Sequence, residues 1–267
     1  MSTPSVGGRP TLERLLTHGP RVSVGMLTAD LLTLGKEMDL LVGAGVELVH
    51  IDVMDGVFCP QITVGPPVVS ALKTPLLRDV HLMIDDPLTK VDAFIRAGAD
   101  MVTFHLEGAS QPHRVLQALK TAVNANEAER GLIRGVGLNP STPVDAVEPL
   151  LDEMDYLLVV AINPGWSGQS FLPATERRLE EARRLIEESG RPILLGVDGG
   201  VTRENIRRVA AMGADIIVSG SAIFDGGDAA ANAAWILSAV QGDLRRLRSG
   251  SRVSRSRPAG AAEGQRP

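Results

Sequence analysis

Four residues of this 267-residue chain combine metal-binding and proton-moving types at strand-like spacing: His50, Asp52, His81 and Asp198. The stretch Val46–Gly56 reads VELVHIDVMDG, an apolar run ending in His50, Asp52 and Asp55. Side chains alternate along a strand, so His50 and Asp52 point the same way. Leu77–Met83 carries His81 near its end, and Ile193–Gly200 carries Asp198 near its end. Two imidazoles and two carboxylates are a donor set for zinc, manganese, iron or cobalt. If Asp52 and Asp198 flank a bound carbon acid, one removes a proton and the other delivers one. A divalent metal would stabilise the enediolate oxygens between the two steps. Such chemistry inverts a stereocentre beside a carbonyl.

The elements that must position these groups alternate along the chain. Strands are expected at Arg21–Met26, Val46–Asp52, Leu77–Met83, Met101–His105, Leu132–Leu138, Asp155–Ile162, Pro192–Asp198 and Asp215–Ser219. Helical patterns lie between them, beginning with Leu31–Val42, which Thr28 and Asp30 should cap. Others run to Ala71, to Ala97, over Gln111–Asn124, to Leu151, and over Ala174–Ser189, Thr202–Met212 and Asp228–Leu247. An internal echo supports this parsing. Ala44-Gly45-Val46-Glu47, Ala97-Gly98-Ala99-Asp100 and Met212-Gly213-Ala214-Asp215 each read as a helix end, a left-handed glycine cap and the start of an apolar strand. Strands that are apolar throughout and alternate with helices imply a buried parallel sheet. Eight such units fit a (β/α)₈ TIM barrel, whose active face lies at the strand C-terminal ends. An open doubly wound sheet fits less well, because no GxGxxG follows the first strand and polar groups end nearly every strand. Residues 1–18 read as a flexible leader with a short helix at Thr11–Leu16, 19–248 as the catalytic barrel, and 249–267 as a disordered Arg-rich tail.

Glycine-rich turns suggest what a substrate carries. Asn163–Gln169 contains Gly165, Trp166, Ser167 and Gly168, the seventh strand ends in Gly199 and Gly200, and the eighth in Gly220 and Ser221. Exposed backbone N–H groups after strands seven and eight are where barrels commonly hold phosphate.

Bulk properties exclude other classes. Net charge is -5 and aromatic content 3%, so neither a basic face nor a base-stacking platform for nucleic acid is present. No apolar run reaches membrane-spanning length. A single cysteine, Cys59, excludes an intrachain disulfide framework and suits the cytoplasm. His105 either reaches the pocket or orients a neighbour. His113 reads as solvated, His18 falls in the leader, and Met26, Met54 and Met83 read as core, with apolar walls of the pocket as the alternative. Lys73 and Lys90 fall in helices, which disfavours a decarboxylase with a lysine among its acids. A non-catalytic sugar-phosphate sensor would not need two opposed carboxylates.

These residues together resemble the ribulose-phosphate 3-epimerase family. The segments that carry the resemblance are His50–Gly56, Val64–Pro66, Asp79–Met83, Asn139–Pro143, Asn163–Gln169, Val197–Gly200 and Ser219–Ala222, within about Val22 to Phe224. The resemblance implies a homo-oligomeric (β/α)₈ barrel that epimerises a ketopentose phosphate, ribulose 5-phosphate to xylulose 5-phosphate, at C3. It implies Asp52 and Asp198 as the acid–base pair and His50, Asp52, His81 and Asp198 as metal ligands, with His81 also against the substrate. Gly165–Gly168, Gly199-Gly200 and Gly220-Ser221 would hold the phosphate. The chain departs from the family pattern at Gly25, where the family has a substrate-contacting serine. It departs also at Gln61, for asparagine, and at Trp166-Ser167, for Phe-Gly. A different ketose phosphate is therefore the alternative.

Overall fold

Eight strands whose residues are almost all buried close into a parallel barrel in the order β1 to β8. A computed structural model describes residues 10–17 and 19–250, with side chains through 242. The strands are β1 (Arg21–Gly25), β2 (Leu48–Met54), β3 (Leu77–Met83), β4 (Met101–His105), β5 (Ile133–Leu138), β6 (Tyr156–Val160), β7 (Leu194–Asp198) and β8 (Ile216–Ser219). β8 pairs with β1, so no edge is left. The (β/α)₈ architecture expected from the sequence is the one observed.

The helices are α1 (Pro10–Thr17), α2 (Leu34–Gly43), α3 (Pro66–Ala71), α4 (Val91–Arg96), α5 (Pro112–Thr121), α6 (Thr175–Ser189), α7 (Ile206–Ala211) and α8 (Ala229–Gly250). The β5–β6 crossover carries a 3₁₀ turn, Val144–Leu150, instead of a full α-helix, because Pro149 lies within it. α6 shows how sequence makes these elements. Leu179, Ala182 and Ile186 recur at helical spacing on its buried side, and Gly190 ends it at φ 64°. α2 starts three residues later than expected. Asp30 caps the preceding turn, accepting from the Leu32 amide and the Thr33 hydroxyl, so Leu31 and Leu32 stay outside the helix.

Alternation along the strands builds two apolar layers. Outward residues such as Val49, Ile51, Val80, Val102 and Ile217 pack under the helices. Inward residues Leu48, Leu77, Met101, Ile133, Tyr156, Leu194 and Ile216 fill the barrel. Each fully buried aliphatic side chain contributes about 1.5–3 kcal/mol. The short helix expected at Thr11–Leu16 within the leader is present, one residue longer at each end, and it is packed on the barrel. Residues 10–17 form α1, and Leu12 and Leu15 pack on the inner cluster, since the barrel's N-terminal opening would otherwise expose that cluster to water. Residues 1–9, His18 and tail residues 251–267 lie outside the described residues; 249 and 250 continue α8.

The internal echo has a structural role. Each acid that follows its glycine pairs with an arginine: Glu47 with Arg21 at 3.1 Å, Asp100 with Arg130 at 3.0 Å, and Asp215 with Arg183 at 3.0 Å. Asp155, just before β6, likewise binds Arg134 at 2.7 Å. The side chains of Asp100, Asp155 and Asp215 also accept from the backbone amides of Arg78, Arg134 and Leu195 on neighbouring strands. The N-terminal face is thus a ring of ties between strands, and chemistry is left to the opposite face.

Candidate active site

Register brings the four chemical residues together. β2 and β3 pair with His50 opposite Asp79 and Asp52 opposite His81. Asp198 ends β7. All four point inward at the C-terminal mouth, and one ligand atom from each falls within 4.8 Å of all the others. His50 Nε2 lies 3.2 Å from Asp52 Oδ1 and 3.7 Å from Asp198 Oδ2. His81 Nδ1 lies 3.1 Å and 3.4 Å from the same oxygens.

The donor chemistry fits a divalent cation. His50 Nδ1 is 2.8 Å from Asp79 Oδ2, an oxygen that also accepts from Ser23 Oγ at 2.9 Å. With its Nδ1 proton held by a carboxylate, a neutral His50 would turn a bare Nε2 toward a cation in the cluster, as metal-binding histidines do. The electrostatics match. Burial pushes Asp52 up, but His50 and His81 outweigh it and hold the carboxyl well below its usual range. Burial pushes His50 down, yet Asp79 and Asp52 raise it well above the ordinary imidazole value. A positive charge among these groups is therefore favoured, as an imidazolium or as a metal ion.

A cleft opens above this cluster. Its wall includes Asp52 and Asp198, the loop Gly165, Trp166, Ser167 and Gly168, and the turns Gly199-Gly200 and Gly220-Ser221. The glycine-rich turns are thus brought to one side of the carboxylates. Two of them need glycine: Gly199 has φ 102°, and a Cβ there would fall 2.4 Å from Ile162; at Gly200, φ 67°, it would meet the Phe171 backbone at 2.5 Å. After β8 the chain makes one turn, with the Ile223 and Phe224 amides bonded to the Gly220 carbonyl.

His81 is fully buried beneath the carboxylates, with its Nε2 2.8 Å from His105 Nε2. Met26, Met54 and Met83 are all buried, as the core reading expects, and Met54 and Met83 also line the cleft, as its alternative does. His105 is buried with its Nε2 facing His81, and His113 is exposed. Cys59 is buried against Met54 and Met83. No lysine lines the cleft. Sequence reasoning missed a role for Asp79, although its spacing to His81 repeats that of His50 to Asp52. It also missed the partners that Ser23, Arg178 and Glu107 find far along the chain, Glu107 at Asn139 and Thr142.

A closed parallel barrel with carboxylates and imidazoles converging at the strand C-terminal ends defines the class: a TIM-barrel enzyme with its polar centre at the mouth. The sequence narrows it. The profile of the ribulose-phosphate 3-epimerase family matches residues 21–224, and the chain belongs to that family of carbohydrate isomerases. It is 39% identical over 211 residues to the ribulose-phosphate 3-epimerase of Bacillus subtilis, covering 78% of this chain and 94% of the relative. It is 41% identical over 207 residues to the Escherichia coli K12 ribulose-phosphate 3-epimerase, covering 76% and 88%. Among solved structures it resembles KGPDC of Streptococcus mutans, at a TM-score of 0.58 and 16% identity, over 86% of this chain and 99% of that one. That last likeness speaks to the fold alone. Among the described residues no helix is long and apolar enough to cross a membrane.

Proposed function

We propose that the protein is a divalent-metal-dependent epimerase that inverts C3 of ribulose 5-phosphate to give xylulose 5-phosphate. The observation that carries this reading is the meeting of Asp52, from β2, with Asp198, from β7, in one cleft wall above two buried imidazoles. One carboxylate takes the C3 proton, and the electron pair moves into the C2–C3 bond as charge passes to the carbonyl oxygen. The other, protonated, returns a proton to the opposite face. His50, Asp52, His81 and Asp198 would hold the cation, which would stabilise that oxygen's charge. Backbone N–H groups of Gly165–Gly168, Gly199-Gly200 and Gly220-Ser221 would bind the phosphate. The single cysteine supports a reducing, cytoplasmic setting. Family membership supports self-association, and Leu31 and Leu32 supply exposed apolar surface for it.

The test is proton exchange. Protein, divalent metal and ribulose 5-phosphate in heavy water should yield xylulose 5-phosphate with deuterium at C3 by NMR. Asp198→Asn should abolish that exchange while still binding the sugar phosphate. No exchange by the folded, metal-loaded parent would overturn the reading for this substrate. A related ketose phosphate is the second reading, favoured because Gly25, Trp166 and Ser167, all departures from the family pattern, line the cleft. The same experiment with other ketose phosphates separates the two.

A further inference from the structure

We propose that His105 and Glu107 form a positioning relay that fixes the proton on His81 Nε2 and keeps its Nδ1 bare toward the metal-binding cluster. The inference rests on the metal reading above and extends it to residues outside the ligand set.

The geometry is a chain of short contacts. His81 Nε2 and His105 Nε2 are 2.8 Å apart, in rings that meet edge to edge with centroids 5.0 Å apart and planes inclined by 23°. His105 Nδ1 is 3.2 Å from Glu107 Oε2. The other carboxylate oxygen, Glu107 Oε1, accepts from the Asn139 amide at 2.8 Å and from the Thr142 hydroxyl. The loop bearing those donors is clamped from α6. Arg178 donates to the carbonyls of Asn139 at 3.0 Å, Pro140 at 2.9 Å and Thr142 at 2.6 Å.

The protons follow from which groups can donate. A carboxylate only accepts, so His105 Nδ1 carries the hydrogen toward Glu107. A neutral imidazole has one N–H, so His105 Nε2 is bare and must accept. The facing His81 Nε2 therefore donates, and with the cation of the proposed function between it and the two carboxylates, neutral His81 offers Nδ1 as a lone pair. That Nδ1 is the atom beside Asp52 Oδ1, Asp198 Oδ2 and His50 Nε2. His50 is oriented directly by a carboxylate, Asp79. For His81 the orienting carboxylate acts through one intervening imidazole.

Glu107→Gln tests the relay with little change of shape. The Asn139 amide demands an oxygen, so the carboxamide NH₂ must face His105 Nδ1. His105 then carries its hydrogen on Nε2 and confronts the His81 Nε2–H, driving the His81 hydrogen onto Nδ1. Cobalt(II) serves as the probe, its dissociation constant read by chelator competition and its site by visible absorption. E107Q should weaken cobalt binding about 10–100-fold and change the spectrum. His105→Phe, which keeps a ring and removes the acceptor, should weaken it likewise, and it tests the relay should E107Q fail to fold. His105→Gln presents its own oxygen to His81 and should bind as the parent does. Adding E107Q to that background should then cost nothing further, the non-additivity expected of residues acting in series. Parent-like affinity and spectrum in E107Q or H105F would overturn the relay alone. So would an undiminished E107Q effect in the H105Q background. A parent that binds no cobalt would overturn the metal reading and the relay with it.

Discussion

Asp79 and Glu107 do similar work from different distances. Each is a carboxylate that gives an imidazole N–H a fixed acceptor, Asp79 from within β3 and Glu107 from the turn after β4. Asp79 is fully buried between β1 and β2 partners. Glu107 sits at the rim, and its environment has a consequence for acid stability. Burial raises its carboxyl, but hydrogen bonds from His105 and Thr142 outweigh that and lower it from 4.5 to about 2. A folded-state value below the unfolded one means the unfolded chain takes up the proton first. Glu107 therefore contributes stability that is complete above pH 4.5 and is lost as pH falls toward about 2. Urea unfolding of metal-free protein should show this loss over that window. E107Q should lack that component, and an unchanged acid dependence would show that Glu107 does not contribute it.

At the scale of elements, the two ends of the barrel have different tasks. The C-terminal mouth is lined by glycine-rich turns because the cleft requires close backbone approach and positive φ. The N-terminal end is closed by α1, whose apolar residues would have little reason to order alone. Leu15 is 1% exposed and packs with Leu12 on the inner apolar cluster. Leu15→Ala should destabilise the protein by about 2–5 kcal/mol, the usual range for emptying a buried leucine site. Turnover per folded molecule should be unchanged, because α1 lies at the end away from the cleft. Thermal unfolding alongside steady-state kinetics checks both halves. A loss of turnover without loss of stability would contradict this division.

The whole molecule depends on strands being held in a fixed register, and the arginine–acid ring sets part of it. Asp155 receives Arg134 through three contacts: its backbone amide at 3.2 Å, Nε at 2.7 Å and Nη2 at 2.8 Å. Both side chains are buried. A bidentate pair of this kind is costly to break from one side, because the remaining charge loses its partner. Asp155→Ala should therefore cost about 3–5 kcal/mol. Replacing both, as Arg134→Met with Asp155→Leu, should recover most of that, since an apolar pair leaves no buried charge. Chemical denaturation of the single and double variants measures the difference. Equal losses in both would mean that packing, rather than charge, dominates at this site.

Much of this was legible in the chain. The alternation of apolar strands with helices specified the barrel, because strands buried on both faces need helical cover and closure removes the edges. The two-residue spacing of His50 and Asp52 specified a shared face, since strand side chains repeat every second residue. The glycines at strand ends marked the turns of the cleft. Local pattern could not assign Asp79 to His50, Glu107 to Asn139 and Thr142, or Arg178 to the Asn139–Thr142 loop. Those partners are brought together by strand register and helix packing, not by sequence spacing. It likewise could not tell that His81 lies beneath the carboxylates while Met54 and Met83 reach the wall. Periodicity gives the face on which a residue lies; its depth on that face, and the atom it meets there, are decided only when the barrel closes.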